Sequence, residues 1–131
     1  MGDVTKNFSY SEFQSKDKSK TPAAAKKNIR KLCKNLEIIR NELDGRSIST
    51  SSGYRSLSHN KKVGGAKSSQ HLYGQAADIK VKGKRPATVY KTILHLIKEG
   101  KIEKGGCAQY RTFVHYDRRG RNARWAGSAK K

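Results

Sequence analysis

A carboxylate set inside an apolar strand is the feature that most restricts how this chain folds. From Ala76 to Val81 the residues alternate, so Ala77, Ile79 and Val81 point one way and Ala76, Asp78 and Lys80 the other. The face carrying Asp78 is therefore not the apolar face. A carboxylate in such a place needs partners, because burying an unpaired charge carries a large desolvation penalty.

Two imidazoles are placed to supply them. His71 precedes Asp78 by seven residues within Ser69-Gln70-His71-Leu72-Tyr73-Gly74-Gln75-Ala76-Ala77-Asp78. One straight strand would hold these side chains apart, whereas a loop, a bend at Gly74 and then a strand folds them back together. His115 lies in another apolar run and shares a strand face with Phe113 and Asp117, since alternate residues point together. Two histidine nitrogens and a carboxylate oxygen suit zinc and leave a fourth position open for water, the arrangement of a hydrolytic zinc site. Asp117 then has two readings. It orients a ligand histidine through the second ring nitrogen, or it receives a proton from the attacking water. Arg55, just past a strand end, offers permanent charge and forked donors to an oxyanion or a substrate carboxylate.

Each residue also has a plainer reading: His71 as a surface residue of a Gly/Ser loop, His115 as a half-buried strand residue, Arg55 as an ordinary surface cation. His59 and His95 are read as structural or exposed, with His95 packing among the core positions of its helix. The metal reading rests on the set rather than on any member.

The rest of the chain reads as one domain of 131 residues, with a core over 7–125 and a basic segment over 118–131. Ser9 and Glu12 have capping-box spacing, and Phe8 and Phe13 flank a short helical turn. Thr21-Pro22 opens a helix whose Ile29, Leu32, Cys33, Leu36, Ile39 and Leu43 recur at three and four, and Asp44-Gly45 ends it. Ser47 to Ser52 is a short strand, Leu57 to Val63 a short irregular helix, and Gly64 to Ser69 a flexible loop delivering His71. Pro86 to Glu99 is a second amphipathic helix with Val89, Tyr90, Ile93, Leu94 and Ile97 inward. Gly105-Gly106 breaks the chain before strands at Cys107 to Tyr110 and Phe113 to Asp117. The fold class is α+β: a small, mainly antiparallel sheet with helices on one face and the metal in a groove on the other.

Thirty Lys and Arg against ten Asp and Glu give a net charge of +20, which attracts polyanions over a range set by salt. Anionic cell-wall polymer and nucleic acid are both candidates, but no nucleic-acid motif accompanies the basic tail, so nucleic acid is the weaker partner. Cys33 and Cys107 lack metal-binding spacing and read as two buried free thiols, with a disulfide as the alternative. No segment has the length and apolarity of a membrane span, and the N-terminus has no signal-peptide core. A monomer made in the cytoplasm is expected.

The ordered motifs Asn7 to Phe13, Ser52-Gly53-Tyr54-Arg55-Ser56, Val63-Gly64-Gly65-Ala66, Ser69 through Asp78, and Phe113-Val114-His115-Tyr116-Asp117 resemble the zinc D-alanyl-D-alanine carboxypeptidase family. These cell-wall peptidases share the hedgehog/DD-peptidase fold, and the chain looks most like the small branch of phage endolysins and murein endopeptidases. The resemblance implies that His71, Asp78 and His115 bind Zn2+, that Arg55 assists substrate or transition state, and that a peptide bond of peptidoglycan is hydrolysed. Other branches place an acid shortly before the final histidine, but Gly106 to Val114 contains none. The nearest acid is Asp117, which this reading makes the base. If Asp117 only supports a ligand, a zinc-stabilised wall-binding protein that cleaves poorly is the alternative. Without an export signal, reaching the wall is expected to need a membrane pore or a phage particle.

Overall fold

The computed structural model describes residues 2–67 and 69–125. Ser68 of the loop before His71, and residues 126–131 of the basic segment, lie outside the described residues. A five-stranded sheet carries the site: β1 (Ile48–Ser52), β2 (Ala76–Val81), β3 (Gly106–Gln109), β4 (Val114–Asp117) and β5 (Ala123–Arg124) in the order β1-β2-β4-β3-β5. The pairings are antiparallel except β3 with β5, which is parallel.

Helices α1 (Ala23–Glu42) and α3 (Pro86–Lys98), with the short α2 (Leu57–Lys62) between them along the chain, flank the strands, and α1 and α3 belong to the core on one side of this sheet. The core joins Ile29, Leu32, Leu36 and Ile39 of α1 and Val89, Ile93 and Leu96 of α3 to Ala77 and Ile79 of β2 and Val114 and Tyr116 of β4. The strand alternation expected for β2 is thus observed, and it leaves Asp78 on the opposite face. Burying the Leu, Ile and Val side chains on one face, at about 1.5–3 kcal/mol each, fixes the register of every residue on the other.

α1 starts one residue later than the sequence signals imply, with Pro22 at the cap rather than inside the helix. Its end falls as expected, with Asp44 and Gly45 both left-handed (φ +62° and +68°). The N-terminal turn, Tyr10–Phe13, is held by Glu12 Oε2, which accepts the Ser9 N–H at 2.7 Å. Phe8 and Phe13 are both fully buried, their ring centroids 6.3 Å apart.

In α3 two expectations change. His95 does not pack; it is exposed, with Nε2 3.8 Å from Glu99 Oε1. Leu96 takes the buried place instead, because it lies three residues after Ile93 on the same stripe, while Tyr90 and Leu94 flank the core half-buried. Cys33 and Cys107 are free and buried. Among the described residues no helix is long and apolar enough to cross a membrane.

Candidate metal centre

Register brings the site together. Asp78 pairs with His115 across β2 and β4, Ala76 with Asp117 on the same strands, and Ala108 of β3 with His115. These residues share the face away from the helices. His71 arrives from outside the sheet, on a 3-10 turn spanning Gln70–Tyr73. Ser69 Oγ caps that turn by accepting the His71 N–H at 3.2 Å, and Gly74 closes it in the left-handed conformation, φ +72°. A Cβ at Gly74 would also lie 2.6 Å from the Ala25 carbonyl oxygen, so the bend seats directly on the start of α1. The loop read as flexible therefore ends in a fixed turn.

His71, Asp78 and His115 are 0%, 2% and 2% exposed, and one donor atom from each lies within 4.8 Å of the others. His71 Nε2 is 3.2 Å and His115 Nδ1 3.0 Å from the same oxygen, Asp78 Oδ1. The opposite nitrogen of each ring is committed. His71 Nδ1 meets the Gly53 carbonyl at 2.7 Å, and a carbonyl can only accept, so the proton sits on Nδ1. His115 Nε2 meets Asp117 Oδ2 at 2.7 Å, so there the proton sits on Nε2. With each ring neutral, as a metal ligand must be, its remaining lone pair faces the Asp78 carboxylate. Acceptors facing one another in a buried space call for a cation among them, and this donor chemistry fits a zinc ion.

Electrostatics agree. Burial opposes the Asp78 charge, but His71 and His115 outweigh it and hold the carboxyl well below the usual carboxylate range. Burial pushes His71 down against the pull of Asp78. It also acts downward on His115, yet Asp117 and Asp78 prevail and raise it. The space between these carboxylates favours positive charge.

Asp117 is fully buried, and every group around its carboxylate is a donor. Oδ1 accepts from Gly106 N at 2.8 Å, Arg119 N at 3.1 Å and Arg119 Nε at 2.9 Å; Oδ2 accepts from His115 Nε2 and, at 2.8 Å, from Arg119 Nη2. Burial opposes its ionisation, but these bonds keep its carboxyl far below the usual range. A Cβ at Gly106 would come within 2.3 Å of Oδ2, so the Gly105-Gly106 pair that reads as a chain break is the cradle of this carboxylate. Asp117 sits at the ring nitrogen of His115 that faces away from Asp78.

Arg55 is buried, with one guanidinium nitrogen 3.5 Å from Asp78 Oδ2. Its other nitrogens donate to Ser52 Oγ at 3.1 Å and Asn60 Oδ1 at 3.0 Å. Gly65 makes that placement possible: a Cβ there would lie 2.2 Å from Asn60 Oδ1 and 2.7 Å from Arg55 Nη1. A groove of about 410 Å³ opens over the site, with Asp78, Arg55, Ser52, His59, Lys80 and Phe113 among its walls.

Sequence reading missed several contributors. Arg119, Asn60, Gly106 and the Gly53 carbonyl orient groups already recognised, and Trp125 packs its ring 5.1 Å from that of His115. The basic tail carried only a charge signal, so neither β5 nor the Asp117–Arg119 pairing was visible in it.

An α+β fold with helices on one sheet face and a buried His-Asp-His donor set beneath a groove on the other has the architecture of a metal-dependent hydrolase. Residues 6–117 match the Peptidase M15 family, and the chain belongs to it. Over 78 residues it is 35% identical to the zinc D-Ala-D-Ala carboxypeptidase of Streptomyces albus G, an alignment covering 56% of this chain and 31% of that protein. The chain thus spans less than a third of the length of that relative.

Proposed function

We propose that this chain is a zinc-dependent peptidase hydrolysing a peptide bond in the stem or cross-link of bacterial peptidoglycan. The observation that carries this reading is the convergence of the buried His71, Asp78 and His115 acceptors, with Asp78 and Arg55 also lining an open groove, supported by membership of a peptidase family. His71, Asp78 and His115 hold the ion. When bound, zinc supplies Lewis acidity toward water and toward a peptide carbonyl.

The chain's own residues prepare that chemistry. Gly53 and Asp117 fix the two imidazoles in the tautomers whose lone pairs face Asp78. Of the two roles read for Asp117, positioning His115 is the one its surroundings support, since both of its oxygens are already occupied by donors. Arg55 balances Asp78 and brings positive charge to the groove wall, where developing oxyanion charge is stabilised. The net charge of +20 suits an anionic wall and is consistent with use in bacterial lysis, including phage lysis.

The test is a digest of purified peptidoglycan with metal-loaded protein, with and without chelator, followed by mass analysis of the muropeptides. Chelator-sensitive release of new termini is expected, and the masses identify the bond cut. The second reading, a zinc-stabilised wall-binding domain, is favoured by the acid-free stretch from Gly106 to Val114 and by the enclosure of Asp117. Stoichiometric zinc with wall binding and no new termini would establish that reading in place of ours.

A further inference from the structure

On the metal face of the sheet, Tyr110 has a hydroxyl that the scheme above does not use. Ala108 pairs with His115 in β3 and β4, and Tyr110, two residues beyond Ala108, continues on that face, its N–H donating to the Phe113 carbonyl at 2.9 Å. It forms a small aromatic cluster with Ala108, Phe113 and Trp125, separate from the main core. Its ring stacks on Phe113 at 4.5 Å and an interplanar angle of 10°, and Phe113 lines the groove.

The polar end is held as firmly. Trp125 Nε1 donates to Tyr110 Oη at 2.9 Å, while the indole ring lies 5.1 Å from the His115 ring. The phenol oxygen is therefore kept within one indole's width of a metal-site imidazole. Because an indole N–H only donates, it occupies a lone pair of Oη and leaves the phenolic proton directed elsewhere. Among the described residues no acceptor takes that proton, although Tyr110 is only 5% exposed. Arg55 has its own nitrogens directed at Ser52, Asn60 and Asp78.

We infer that Tyr110 is a catalytic residue: its hydroxyl donates a hydrogen bond to the substrate carbonyl oxygen as that oxygen becomes an oxyanion, with Trp125 holding it in the required orientation. The role rests on the peptidase reading. As the water oxygen bonds to the carbonyl carbon, the π pair of the carbonyl moves onto its oxygen. The Tyr110 O–H bond stays intact throughout, so the residue stabilises charge without transferring a proton. A preset donor of this kind is typically worth about 10²–10³ in turnover.

Tyr110→Phe removes the hydroxyl and keeps the ring that stacks on Phe113. In the zinc-loaded protein the expected result is a fall in kcat of about 100-fold or more, with KM within a few-fold of wild type and unchanged zinc stoichiometry. Affinity for a phosphinate dipeptide analogue of the tetrahedral state should fall by a similar factor, a readout independent of turnover. Trp125→Phe, which keeps the hydroxyl but frees it, should give a smaller loss in the same two measurements. Equal turnover and equal analogue affinity for Tyr110→Phe and wild type would overturn this role alone, as would a loss fully accounted for by lost zinc. A wild-type protein that cleaves no wall preparation would instead overturn the peptidase reading itself, and the role with it.

Discussion

Replacing Asp117 by asparagine separates positioning from proton transfer at this centre. All neighbours of the carboxylate are donors, so whichever oxygen becomes an amide NH2 confronts donors with a donor. The Oδ1 place receives Gly106 N, Arg119 N and Arg119 Nε, and the amide oxygen will keep that richer position. Its NH2 then faces His115 Nε2, now 2.7 Å from a carboxylate oxygen. The ring answers by moving its proton to Nδ1, where it points at Asp78 Oδ1, 3.0 Å away, and occupies the lone pair needed for zinc. Losing a supporting carboxylate of this kind weakens metal binding by about 10- to 100-fold, which is roughly 1.4–2.7 kcal/mol. Competition with a chromogenic chelator measures the change, and a melting curve of the metal-free variant checks that the fold persists. A zinc Kd within twofold of wild type in Asp117→Asn would refute the tautomer reasoning. If turnover nevertheless fell by about 10² or more, Asp117 would be the proton acceptor instead.

Further expectations concern the rest of the site and the core. His71→Ala should abolish both zinc retention and turnover, and unchanged zinc stoichiometry by emission spectroscopy would remove His71 from the ligand set. Arg55→Lys should retain zinc but lose about tenfold or more in turnover, because one ammonium cannot reach Ser52, Asn60 and Asp78 together; a wild-type rate would make Arg55 structural. Burial pushes the Cys107 thiol up to about 12 and Cys33 also upward. Both should resist alkylation at pH 8 in the native state and label fully once unfolded. Since these pKa values are raised by folding, the associated stability is complete below the ordinary thiol value, about 8.5, and declines as pH climbs toward the folded values. Melting curves of Cys107→Ala should show a weaker alkaline decline than wild type.

Much of the centre could be read from local pattern. Alternation in Ala76 to Val81 set Asp78 apart from the core, the i, i+2 relation joined His115 to Asp117, and Gly74 marked where the chain turns back from His71. These signals survive because strand parity and glycine turns are decided within a few residues. Long-range pairing leaves no such trace. Nothing near Arg119 reveals that it clasps Asp117, and nothing near Asn60 reveals that it meets Arg55 through space kept free by Gly65. The partnership of Trp125 with Tyr110 is likewise hidden, since β5 has only two residues and no periodicity of its own. His95 and Leu96 were exchanged for a simpler reason: adjacent positions at the edge of a helical stripe differ by 100° in direction, and packing decides which turns inward.

The placement of Trp125 has a practical consequence. It is the chain's single tryptophan, and its indole lies against His115. Emission from this one fluorophore therefore comes from the rim of the ion-binding cavity, without background from other indoles. Titrating metal into stripped protein should be visible in the emission spectrum, a label-free gauge of occupancy supplied by the polypeptide itself.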